Sequence, residues 1–151
     1  MNHKELAMQL FKDGYNCSQA VTAAFSDVTG VSFEDSIKFA SSFGGGMGRM
    51  REVCGAVSGM FLVLGMIEGY SDPKDNVSKK AHYEKVQYLA GQFKKEYGSI
   101  ICRELLGLDK KENSDPTPSE RTETYYKKRP CGELVGTAAE ILDRYLEKGM
   151  I

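Results

Sequence analysis

Apolar side chains recur along this chain at the spacing of amphipathic helices, and no stretch shows the strict alternation of a half-buried strand. Leu6, Met8, Leu10 and Phe11 predict a first helix over Lys4 to Lys12, stopped by Gly14. Asn16 is a good N-cap for a second, from Cys17 to about Asp27, with Ala20, Val21, Ala24 and Phe25 as its apolar stripe. Ser32 caps a third. Asp35 supplies the Ser-x-x-Asp form of a capping box, and Ile37, Phe39, Ala40 and Phe43 make the inward face. Gly44-Gly45-Gly46-Met47-Gly48 then predicts irregular backbone.

Val53 to Ile67 is the longest run without a charge, with Arg49, Arg51 and Glu52 before it and Glu68 after. As a helix it spans about 23 Å against about 30 Å for a membrane core, so it reads as a buried central helix ending near Gly69. Ser71-Asp72-Pro73 is a turn. His82, Val86, Leu89, Phe93 and Tyr97 share one face of a long helix from about Asn76 to Tyr97, broken by Gly98. Ser99 caps a short helix from Ile100 to Leu106. Asp109 to Glu123 is polar, holds Pro116 and Pro118, and predicts a mobile surface loop. The last helix starts near Pro130-Cys131 and uses Leu134, Val135, Ala138, Ile141, Leu142 and Tyr145. With no repeat and no second core, the pattern predicts an all-α, single-domain helical bundle over 1–151. It has about six to seven helices around the central apolar one.

Composition narrows the function classes. A net charge of −1 gives no basic excess for nucleic acid. Met1-Asn2-His3-Lys4-Glu5 opens directly into the amphipathic pattern, without the apolar stretch of a secretory signal, so a cytoplasmic address and no membrane partner are expected. In that compartment cysteines serve metal or redox chemistry more readily than structural disulfides. No Ser/His/Asp set, paired-carboxylate site or metalloprotease histidine motif favours a hydrolase. The glycine-rich segment lacks the Gly-Lys-Ser/Thr ending and preceding strand of a P-loop. His82 reads as a hydrogen-bonded core or edge histidine, and His3 as inert at a frayed end. Met47, Met50, Met60 and Met66 read as core filler. Tyr125-Tyr126 to Arg129 reads as a solvated loop end, with a docking patch for an acidic partner as the alternative. The central helix is covered within one chain or by a second copy, so a homo-oligomer stays open.

The chemistry lies in four cysteines, Cys17, Cys54, Cys102 and Cys131. Each is predicted near the start of its own helix: Cys17 after Asn16, Cys102 three residues after Ser99, Cys131 after Pro130. Cys54 falls in the second turn if the central helix begins near Arg49. A helix start carries unpaired N–H groups and the positive end of the macrodipole, which favour thiolate. Arg49 and Arg51 add charge near Cys54; Lys127, Lys128 and Arg129 do so near Cys131, mostly in solvent. Inert core thiols are the plainer alternative. The chain has no CxxC pair, and its spacings match no zinc-finger or ferredoxin signature. If the four starts converge, they build one sulfur-rich redox or metal site.

Cys54-Gly55-Ala56-Val57-Ser58-Gly59 reads CGAxxG. A lone cysteine lies upstream in Asn16-Cys17-Ser18-Gln19-Ala20, and single cysteines follow in Ile101-Cys102-Arg103 and Arg129-Pro130-Cys131-Gly132. This order, with Gly44–Gly48 before it, resembles the redox-active bacterial protein family defined by four cysteines with a CGAxxG motif at the second. The resemblance runs from Asn16 to the last helix and implies a small helical redox protein. A related module, fused to a haem domain in a cytochrome, is associated with a two-iron cluster. The resemblance therefore implies a [2Fe–2S] iron–sulfur centre on Cys17, Cys54, Cys102 and Cys131, and electron transfer with an unidentified redox partner protein.

Two alternatives stay open. One is a metal-free thiol–disulfide oxidoreductase or redox sensor, with Cys131 as nucleophile and Cys54 as the second candidate catalytic cysteine, although four cysteines allow three full pairings. The other is a structural zinc-binding bundle. A four-thiolate two-iron centre carries about −2 by formal valence and needs N–H donors and dipole ends around it. Glycine-rich backbone lets N–H groups approach sulfur closely. Gly55 and Gly59 would let a neighbouring helix or the cluster sit against the central helix.

Overall fold

The computed structural model describes residues 1–108 and 115–150, apart from the side chain of Lys128. Polar side chains set where its helices begin. At α1 (His3–Lys12) the Asn2 side chain accepts the Glu5 N–H, and the Glu5 carboxylate accepts the Asn2 N–H. At α2 (Cys17–Ala24) Asn16 and Gln19 repeat this reciprocal box with bonds of 2.9 and 3.0 Å. Each box satisfies amides that a helix start would otherwise orphan. Phe25 then leaves helical geometry at φ −102°, ψ 17°, which turns its ring wholly into the core and ends α2 before Asp27. A one-turn α3 (Ser26–Thr29) follows. Ser32 caps α4 (Phe33–Ala40) one way, accepting the Asp35 N–H at 3.1 Å.

A 3₁₀ turn at Ser41–Phe43 leads into α5 (Gly44–Met47), whose Gly45 and Gly46 are left-handed, so the segment is a chain of tight turns as its glycines predict. Next come α6 (Gly55–Glu68), α7 (Asn76–Tyr97), α8 (Cys102–Leu105), α9 (Glu123–Lys128) and α10 (Cys131–Lys148). The protein is all-α; an isolated antiparallel bridge, Val53 with Ile101, is the one strand-like feature among the described residues. None of its described helices is long and apolar enough to cross a membrane.

The core forms where α2 lies along α6, α1 along α10, and α7 and α10 close the far side of α6. Val21, Phe25, Met60, Leu64, Phe93 and Leu142 are among its fully buried side chains, each worth about 1.5–3 kcal/mol of burial. Gly59 sets the α2–α6 approach: a Cβ there would stand 2.8 Å from the Val21 Cβ. At Gly55 the added carbon would stand 3.1 Å from the Cys17 Cβ. These two glycines thus bring the start of α2, and Cys17 with it, against the start of α6.

Several expectations are corrected. α6 is buried over Gly55–Met60 and at Val63 and Leu64, but Phe61, Leu62 and Met66 are half-buried and Ile67 is exposed. Phe39 does not face inward: it is 58% exposed, because Ala40 and Ser36 take the inner side of α4. Of the four methionines read as filler, Met60 is core and Met50 is exposed. Of the predicted loop 109–123, residues 109–114 lie outside the described residues, and α9 begins at its end. His3 is not inert. Its ring stacks on Phe25 with centroids 4.1 Å apart and bridges Asp143 at 2.7 Å and Asp27 at 2.9 Å. His82 Nδ1 is buried without a hydrogen-bond partner, contrary to the expected bonded histidine.

Candidate functional site

All four cysteines are free, buried and placed at helix starts. Cys17, Cys102 and Cys131 are the first residues of α2, α8 and α10. Cys54 is the N-cap of α6, closer to its helix start than expected, because Val53 is held in the bridge to Ile101 and delays the helix to Gly55. The bridge also joins two cysteines: the Cys54 N–H donates to Ile100 O at 2.8 Å and the Cys102 N–H to Glu52 O at 2.6 Å. Residues flanking a bridge point to the same face, so the ribbon carries Cys54 and Cys102 on one side. On the other side of the site, the thiols of Cys17 and Cys131 are hydrogen-bonded to each other.

The four side chains line one cavity of about 380 Å³. Gly44, Gly45, Gly46 and Gly48 form part of its wall. Gly46 is required there: at φ 70° an added Cβ would stand 2.6 Å from the Cys102 Cβ and 2.8 Å from the Arg51 Cα. Arg49, Arg51, Arg121 and Arg129 also line the cavity, and no Asp or Glu does so among the described residues. Arg51 donates to the Cys102 sulfur at 3.7 Å. Arg121 is fixed by the carbonyls of Phe11 and Tyr15, at 2.9 and 3.0 Å, and lies 4.3 Å over the Phe11 ring. Arg129 is half-buried beside Tyr125, not out in solvent. Arg121 comes from the polar stretch read as a loop, and no local pattern marks it; only the fold returns it to the cysteines.

The expected bias toward thiolate holds at one cysteine. Burial pushes the Cys54 thiol up to about 12, outweighing the Ala56 and Val57 N–H groups that favour its charge. Burial also raises Cys102 against the pull of Arg51. Cys131 is lowered to about 7, chiefly by the hydrogen bond from Cys17 and then, against burial, by Arg129, Arg121 and Arg51. The same bond, with burial, holds Cys17 well above its ordinary value. Within the pair, negative charge is favoured on Cys131 over Cys17. The thiol that acts on Cys131 is that of Cys17, a pairing the sequence left open.

No three His, Cys, Asp or Glu side chains among the described residues are grouped to hold a single metal ion. A family model described as "Putative redox-active protein (C_GCAxxG_C_C)" matches residues 15–145. Its label writes the second element GCAxxG, whereas here Cys54 precedes Gly55. No curated protein and no solved structure matches the chain.

Proposed function

Because this chain belongs to the C_GCAxxG_C_C redox-active family, we propose that it is a small electron-transfer protein whose Cys17, Cys54, Cys102 and Cys131 hold a [2Fe–2S] centre. The observation that carries this reading is the opening of four helix-start cysteines onto one cavity with arginines and no described carboxylate. The donor set fits the group. A four-thiolate two-iron centre takes two cysteines per iron; here the Cys17 thiol acts directly on Cys131, and the bridge holds the backbones of Cys54 and Cys102 side by side. When bound, the group supplies a one-electron couple.

The protein's own residues prepare for a buried anion. The Ala56 and Val57 N–H groups favour charge on Cys54, Arg51 donates to the Cys102 sulfur, and Arg121 and Arg129 favour charge on Cys131. The Cys131 contact and burial at Cys17, and burial at Cys54 and Cys102, favour the protonated thiols, so ligation would release protons.

The Cys17–Cys131 contact favours a second reading, a metal-free dithiol. The Cys131 thiolate attacks a substrate disulfide and expels one substrate thiolate, which takes a proton. Cys17 then gives up its proton, attacks the Cys131 sulfur and releases the second substrate thiol. The substrate gains two electrons and two protons while Cys17–Cys131 becomes a disulfide. Isolation without oxygen separates the readings. Brown protein with about two irons and two acid-labile sulfides per chain is expected. Colourless, metal-free protein with one reactive dithiol supports the second reading, and one zinc per chain overturns both.

A further inference from the structure

Resting on the electron-carrier reading, we propose that Arg51 is a positioning residue that acts through Cys102 to set the potential at which the four-cysteine centre takes up its electron. Arg51 is 7% exposed. No carboxylate pairs with it among the described residues, and its guanidinium donates to the Cys102 sulfur at 3.7 Å. A buried charge is costly unless opposite charge meets it. In this cavity the groups that can supply negative charge are the sulfurs.

The backbone is strained to bring this cation in. Gly45, Gly46, Met47, Gly48, Arg49 and Arg51 all have positive φ, with Arg51 at 61°. Left-handed geometry is costly for a residue with a Cβ, and such strain gathers at functional sites. The Arg51 N–H donates to Gly45 O at 3.3 Å, and its carbonyl accepts the Arg103 N–H at 3.2 Å. Arg51 is thus tied to the glycine turns on one side and to α8, the helix of Cys102, on the other.

Charge gives the direction. By formal valence the four-thiolate centre carries about −2 oxidised and about −3 reduced. One electron enters from an external one-electron donor, and no bond forms or breaks. A cation in dry surroundings stabilises the more negative state, so Arg51 raises the affinity for that electron. Arg49 is the internal contrast. It lines the same cavity with φ 66°, but is half-buried and donates to Ser119 Oγ at 3.4 Å, where solvent screens it.

The test is a dithionite titration with mediator dyes, followed by visible absorbance, on anaerobic wild-type, R51Q, R51K and R49Q proteins. R51Q is expected to lose about tenfold in the equilibrium constant for electron uptake, a fall of about 59 mV for a one-electron couple. R51K, which keeps the charge without the planar fork, falls by less. R49Q changes by under about threefold, as expected for a screened charge. Equal shifts in R51Q and R49Q overturn the inference. Should R51Q take up no iron, R51K decides, and a potential equal to wild type overturns it. Wild-type protein without iron and sulfide overturns the electron-carrier reading and this inference together; a loaded wild type with an unmoved R51Q overturns this inference alone.

Discussion

Cys54 and Cys131 both begin long helices, yet their thiols titrate far apart because of what else each sulfur meets. Backbone N–H groups are the main help to Cys54, and burial wins. Cys131 has the Cys17 thiol and the charges of Arg129, Arg121 and Arg51. In cofactor-free reduced protein, Cys131 should alkylate with a midpoint near pH 7, and C17A should move that midpoint upward by removing the donated hydrogen bond. Alkylation rate against pH, with the site assigned by peptide mass, checks this; an unmoved midpoint contradicts it. A different residue-scale effect sits in α2. Thr22 is fully buried and its hydroxyl has no partner. Replacing it with Val removes an unsatisfied polar group at similar volume, so T22V should raise unfolding stability by about 1 kcal/mol in urea, and a loss there refutes the packing described.

At the scale of elements, the α2–α6 contact decides where the sulfurs go. A G59A Cβ would meet Val21 at 2.8 Å with Ser18 O at 3.2 Å behind it, leaving backbone as well as side chain to shift. G59A should cost about 1–3 kcal/mol of stability by urea unfolding. The helix ends were largely legible because their causes are local. Asn16, Ser32 and Gly98 cap where their residue types say they should. The start of α6 was not, since it depends on the Val53–Ile101 bridge, a pairing that no local pattern records. The role of His3 was hidden for the same reason. Burial alone would lower its pKa, but Asp27 from α3 and Asp143 from α10 outweigh it and raise the pKa above 6.5. The sign follows: its contribution to stability is full below pH 6.5 and is lost as pH rises through the folded value. The thermal midpoint of wild type over H3Q should therefore be larger at pH 6 than at pH 9, and a pH-independent difference contradicts the bridge.

At the scale of the whole molecule, cysteines far apart in sequence share one wall-to-wall chemistry. Their number, order and helix-start positions were readable because each depends on a few neighbours. Their convergence was readable only as a condition to be met. Arg121 was invisible, because its place over Phe11 is made by the return of the chain after α8, and nothing beside it in sequence marks it. Arg51 was visible as a charge near Cys54 but not as a buried one, which required the left-handed turns of the glycine segment. If the four sulfurs form a single centre, none is dispensable. The direct measurement is iron and acid-labile sulfide per folded chain in anaerobically prepared C17A, C54A, C102A and C131A, with far-UV circular dichroism confirming the helices of each. Loss of both iron and sulfide in all four variants is predicted; full loading in any folded variant would contradict a centre shared by the four.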